Sequence, residues 1–209
     1  MRIGIIGSGH IGGTLAMLLA RAGHEVAVSN SRGPESLAGL VDQVGERARA
    51  GTPAEAAAFG DVVVVSIPFG RHDELPAERL SGKVVVDTTN YYSQRDGSFA
   101  ELDADQTTSS ELLAGRLPDA RLVKAFNTIY WERLRDRGRP QPFDGDRLAI
   151  PLAGDDAEAK RVVAGLIDEI GFDPVDTGTL AQGGRRQQPG SPIYNVPLTG
   201  DELRQRLDA

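Results

Sequence analysis

Cysteine is absent from the 209 residues, so disulfides, thiolate metal sites and cysteine catalysis are excluded. Histidine is scarce: His10, His24 and His72 are the only three, and none stands at a metal-ligand spacing such as H-E-x-x-H, so no metal centre is expected. No apolar run approaches the roughly 20 residues needed to cross a bilayer, which leaves a membrane role without support. The first apolar segment begins at Arg2, leaving no room for a secretory leader, and this points to the cytoplasm. Positive charge is in the minority. With 23 Lys and Arg against 30 Asp and Glu the formal net charge is -7, which argues against a nucleic-acid surface but allows a local basic pocket.

Glycine, by contrast, is well supplied, and one cluster is informative. Gly7-Ser8-Gly9-His10-Ile11-Gly12 follows the apolar segment Arg2–Ile6 and opens a helical pattern from Thr14 to Ala20. In that context the G-x-G-x-x-G string is a dinucleotide fingerprint. Gly7 permits the tight turn, Gly9 lets backbone approach a pyrophosphate, and Gly12 lets the helix pack closely on its strand while its N-terminus faces the phosphates. The next predicted strand ends in Ser29-Asn30-Ser31-Arg32. An NAD-specific fold usually places Asp or Glu there to accept from the ribose 2'-hydroxyl. Asn30 takes that position, Ser31 can donate to a 2'-phosphate, and Arg32 offers a charged planar fork, so NADP(H) is favoured over NAD(H).

Further along, β-branched runs at 61–67 and 83–87 and a shorter one at 121–125 predict buried parallel strands. Thr52-Pro53-Ala-Glu55 and Thr108-Ser-Ser-Glu111 predict capping boxes opening two helices. Alternation of strand and helix predicts an α/β fold, a Rossmann-type doubly wound parallel sheet with a small carboxyl-terminal α/β extension. Beyond Phe126 an irregular Arg- and Pro-rich stretch runs through Pro142 and supplies the boundary, giving an NADP-binding domain over 1–138 and the extension over 139–209. Within the extension we expect a strand at 148–153, a helix at 156–170, a strand at 174–176, a turn-rich segment over 178–197 and a closing helix capped by Thr199.

In an open parallel sheet, ligands collect beyond the carboxyl ends of the strands. Ser66 and Thr89 at two such ends could bond cofactor ribose or phosphate, Ile67 and Pro68 would hold their loop against the nucleotide, and Asn127 could bind the carboxamide that orients a nicotinamide. Each could instead satisfy a local turn. Tyr91, Tyr92, Tyr130 and Trp131 form either a platform for a flat partner or a packed seam. Arg185 and Arg186 read as solvated, and Asp73 with Glu74 as the acidic start of a helix. No residue is nominated as catalytic acid, base or nucleophile.

The string Val123-Lys-Ala-Phe-Asn-Thr-Ile129, added to the fingerprint and to Asn30-Ser-Arg32, resembles the NADP oxidoreductases that depend on the deazaflavin coenzyme F-420. It is also similar to the cytosolic reductase domains of the six-transmembrane metalloreductases. The resemblance extends to Leu152–Asp156 and Gly171–Asp176. It implies that Ser8, His10 and Ile11 join the glycines at the phosphates, that Ser31 and Arg32 bind the 2'-phosphate, and that Ala125, Phe126 and Asn127 border the nicotinamide. It further implies a homodimer, with a small-molecule electron acceptor or donor as partner and a deazaflavin as co-substrate. The segment Gln187–Tyr194 departs from the deazaflavin enzymes, since its two prolines cannot continue their long apolar helix. An NADPH-dependent reductase of a flavin, quinone, carbonyl or imine is therefore the alternative, and an NADPH-binding sensor is the reading from another class.

Overall fold

A computed structural model of the chain describes residues 1–139 and 146–208. The predicted apolar runs form strands β1 (Arg2–Ile6), β2 (Glu25–Ser29), β3 (Ala48–Gly51), β4 (Val62–Val65), β5 (Val84–Asp87), β6 (Arg121–Ala125), β7 (Ala149–Gly154) and β8 (Asp173–Asp176). They make one sheet in the order β3-β2-β1-β4-β5-β6-β7-β8. β1 pairs in parallel with both β2 and β4, so the strand order reverses at β1. This is the Rossmann-type α/β fold expected, with one departure. β7 runs antiparallel to β6, and β8 is parallel to β7.

The valine runs are apolar on both faces because both faces are covered. Successive side chains of a strand point to opposite sides. Ile3, Ile5, Val62, Val64, Val84 and Val86 accordingly pack in one cluster with Leu15 and Leu18 of the helix His10–Arg21 and with Val163 and Ile167 of the helix Ala157–Glu169. Ile6, Val63, Val65 and Val85 face the other side, where Ala57, Leu80 and Leu113 cover them from three further helices. Both predicted capping boxes form: Thr52 and Thr108 accept from the backbone N–H of Glu55 and Glu111, whose carboxylates return to the cap N–H groups. Asp156 caps the long helix with only the first of these two bonds, accepting from the N–H of Ala159.

Three expectations are corrected. A helix, Trp131–Arg137, forms inside the stretch expected to be irregular, and only its Leu134 is buried, so it carries almost no apolar period. The rest of that stretch, including Pro140 and Pro142 of the expected boundary, lies outside the described residues. Asp73 and Glu74 close a 3-10 helix, Phe69–Glu74, and do not open an α-helix; Pro76 separates them from the next one. The turn-rich segment also contains a short helix, Gln182–Arg186.

At the carboxyl ends of β5 and β6 the paired residues Asp87 and Lys124 form a fully buried ion pair, Nζ to Oδ2 3.4 Å. Asp87 also accepts from Ser110 Oγ at 2.6 Å and from the Thr89 N–H at 2.8 Å, while Lys124 Nζ donates to the Thr89 carbonyl at 3.1 Å. The pair thus clamps the loop that follows β5. Removing one partner strands the other charge in the core. Lys124→Met should cost about 3–5 kcal/mol in urea unfolding, and Lys124→Met with Asp87→Leu should recover much of that loss; a single variant as stable as the parent would contradict this account.

Candidate functional site

The fingerprint forms at the strand-order reversal. Gly7 has φ +108°, and a Cβ there would stand 2.1 Å from the Ser66 carbonyl oxygen. A Cβ on Gly12 would stand 1.9 Å from the carbonyl oxygen of Gly7. Both glycines are demanded by backbone approaching backbone. Gly9 is different. Its φ of -70° suits any residue and a Cβ would meet nothing within 4 Å, so the protein itself does not require glycine there. The helix His10–Arg21 begins at Gly9 with no side-chain cap and no acidic residue in its first turn. Its leading amides are therefore open to an anion, with backbone and no side chain in the way. These features fit a pyrophosphate.

Two clefts lie over the carboxyl ends of the central strands. The first, about 380 Å³, is walled by Gly7, Ser8 and Gly9, by Asn30, Ser31 and Arg32 beyond β2, and by Ser66, Ile67 and Pro68 beyond β4. Asn30 organises its wall: Oδ1 accepts from the Arg32 N–H at 2.8 Å, and Nδ2 donates to Ser36 Oγ at 2.9 Å and Ser8 Oγ at 3.3 Å. A carboxylate would lack that donor. Among the described residues the Arg32 guanidinium has no ion-pair partner. Two charged wall residues were not expected from the sequence, Arg71 and Glu74. Arg71 Nε and Nη2 donate to the two Glu74 carboxylate oxygens at 2.7 and 2.5 Å, and this bond holds the Glu74 carboxyl below its ordinary range. The available signal was an Arg and a Glu three apart directly after the Pro68 loop.

The second cleft, about 500 Å³, shares Gly9, Ser66, Ile67 and Pro68 with the first and continues past His10 and Ile11 to Thr89, Phe126 and Asn127. Asn127 Nδ2 donates to the Gln187 carbonyl at 2.7 Å and to Asn90 Oδ1 at 3.0 Å. Its Oδ1, like Thr89 Oγ1, is buried with no hydrogen-bond partner. Buried acceptors without partners are expensive, so these two atoms suit a ligand that donates to them, as a carboxamide does. Phe126 holds φ +64°, a strained value for an aromatic residue, where the chain turns from β6 into this wall.

The aromatic residues divide. Trp131 stacks on His10 with ring centroids 4.5 Å apart, and both line the second cleft. Tyr92 and Tyr194 meet there through their hydroxyls at 2.5 Å, and Tyr194 also accepts from Asn90 Nδ2 at 3.2 Å. Burial first, then the bond to Tyr92, pushes the Tyr194 phenol above the usual tyrosine range, so it stays protonated. Tyr91 instead packs on Phe69 and Phe99. Tyr194 lies 104 residues from Asn90, and no local pattern announced it.

Of the residues predicted for cofactor binding, Gly12 and Ala125 line neither cleft, being buried behind the walls, and all the others line one or both. Arg185 pairs with Asp105 away from both. Among the described residues no group of His, Asp or Glu could hold a metal ion, and no helix is long and apolar enough to cross a membrane.

Residues 2–91 match the sequence model of the family described as NADP oxidoreductase, coenzyme F420-dependent. The chain is 31% identical over 198 residues to metalloreductase STEAP3 of Rattus norvegicus, an alignment that takes in 94% of the chain and 37% of the rat protein. The chain thus spans little more than a third of the length of the curated relatives it matches. Among solved structures, the hypothetical protein SMa0349 of Sinorhizobium meliloti superposes with a TM-score of 0.80 at 32% identity, covering 95% of each chain. A protein of Arthrobacter sp. FB24 assigned as an F420-dependent NADP-reductase superposes with a TM-score of 0.76 at 27% identity, covering 95% of this chain and 99% of that one. The matched segment runs from β1 past β5 and includes every residue that walls the first cleft, so it is in this part that the chain is similar to the NADP oxidoreductase, coenzyme F420-dependent family.

Proposed function

We propose that the chain transfers hydride between NADP(H) and a deazaflavin coenzyme. The observation that carries this reading is the meeting of the two clefts over Gly9 and Ser66–Pro68 at the strand-order reversal. One cleft offers an unpaired Arg32 beside Ser31, and the other offers Thr89 Oγ1 and Asn127 Oδ1 without partners. A dinucleotide laid across the junction would have its 2'-phosphate at Ser31 and Arg32 and its pyrophosphate over Gly9 and the leading helix amides. Its carboxamide would reach Asn127, with Phe126 bordering the ring.

The second cleft is also lined by the His10–Trp131 stack and the Tyr92–Tyr194 pair, aromatic surface that supports a flat acceptor there. Tyr194 and Asn195 come from the segment 139–209, which supports that segment as the small extension lining the acceptor side. The two cofactors, when bound, supply the redox chemistry. The protein's own task is to hold them at near-attack separation and keep water out, and no side-chain nucleophile is needed.

One observation favours a second reading, reduction of a flavin, quinone, carbonyl or imine. Residues 187–194 form turns, with the Gln187 carbonyl fixed by Asn127, where the deazaflavin enzymes carry a helix.

Stopped-flow mixing of the protein with NADPH and oxidised deazaflavin, with free flavin in a parallel run, separates these readings. Matched enzyme-dependent loss of both absorbances is expected. NADPH loss with flavin alone would favour the second reading, and tight binding without turnover would point to a sensor.

Arg32→Ala should weaken NADPH binding about ten- to a hundredfold, the scale of one lost charge-assisted hydrogen bond, and leave NADH nearly unaffected. Equal losses for both nucleotides would remove Arg32 from the phosphate site. The family resemblance also supports a cytoplasmic homodimer. Light scattering should return twice the chain mass, and a single chain mass would reject the dimer.

A further inference from the structure

We propose that Arg71 is a second phosphate-binding arginine of the first cleft, selecting with Arg32 a nucleotide that carries a 2'-phosphate, and that Glu74 limits this selection by competing for the same guanidinium. The inference rests on reading that cleft as the nucleotide site.

Arg71 and Arg32 reach the cleft from opposite sides of β1. Arg32 follows β2 and Arg71 follows β4, and both strands flank β1 in the sheet. An arginine has five N–H donors. Glu74 takes one from Nε and one from Nη2 of Arg71, which leaves the second N–H of Nη2 and both of Nη1, and Nη1 stands 3.5 Å from Ser31 Oγ, forty residues away in sequence. The free edge of this exposed ion pair thus faces the hydroxyl of the residue that precedes Arg32 in the cleft wall. Ser31 has Arg71 at its hydroxyl and Arg32 next to it in the chain, both arginines lining the one cleft, and two guanidinium groups suit a tetrahedral dianion and waste charge on a free ribose hydroxyl.

Glu74 lines the same cleft as a carboxylate, ionised at neutral pH as any exposed glutamate is, and Arg71 holds its carboxyl lower still. An incoming phosphate must share Arg71 with this carboxylate and also bear its repulsion. The side chains of Arg71 and Glu74 are 44% and 57% exposed, so solvent screens both effects and moderates their size.

The test is calorimetric titration of the full chain and its variants with 2',5'-ADP and 5'-ADP, and with NADPH and NADH. In Arg71→Ala, affinity for 2',5'-ADP and NADPH should fall about tenfold while NADH stays within about twofold, the retained NADH binding serving as the check of folding. Glu74→Gln should act in the opposite direction, tightening 2',5'-ADP by about threefold. Loss of phosphate preference in Arg32→Ala but not in Arg71→Ala would overturn the inference and leave the cleft's assignment standing. A parent chain that does not prefer 2',5'-ADP to 5'-ADP would overturn both.

Discussion

Where β1 ends, three pieces of backbone come so close that no side chain fits between them. Gly7 lies against the Ser66 carbonyl and Gly12 against the carbonyl of Gly7. These contacts fix the angle at which the first helix leaves the sheet and hence the direction of its leading amides. They also hold the exit of β4 against the exit of β1, and this junction is the wall common to both clefts. The separation of Arg32 from Asn127 across the site is therefore set by two glycines that themselves bear no functional group.

Much of this was legible because it is local. A fingerprint between an apolar strand and a helical pattern, and Thr-x-x-Glu strings ahead of helices, each encode a structure within a few residues. Tyr194 and Asn90 were not legible as site residues, because each owes its place to partners far away in sequence, and Arg71 was not because its one distant contact, with Ser31, lies forty residues back while its local pair with Glu74 reads as an ordinary surface pair. The helix Trp131–Arg137 escaped for another reason. It buries one leucine and presents charged residues elsewhere, so its period is hidden among arginines that also suit a loop. The reversed direction of β7 was equally silent, since a buried apolar strand reads the same whichever way it runs.

The register of β7 explains how the carboxyl-terminal part takes its place. Only three residue pairs join β6 to β7, and the last of them, Ala125 with Leu152, leaves Ala149 beyond the end of β6. β8 pairs with β7 from Ala149 to Leu152, so these two strands stand at the rim of the sheet and not along its full height. From that rim the chain returns over the site. Gln187 is fully buried, with Nε2 bonded to Thr177 and its carbonyl to Asn127, and the Asn195 N–H donates to the Thr128 carbonyl at 3.0 Å. The same asparagine that lines the second cleft and buries an oxygen without a partner is thus held in place by the returning segment.

The first cleft is assembled from residues no later than Leu75, whereas the sheet beneath it is completed only at β8. A lineage could keep those seventy-five positions nearly intact and rewrite the returning segment, exchanging what meets the second cleft without disturbing the first. The block that walls the first cleft is in this chain shorter than the block that must fold together, and a chimera cut after β5 would divide the second without dividing the first.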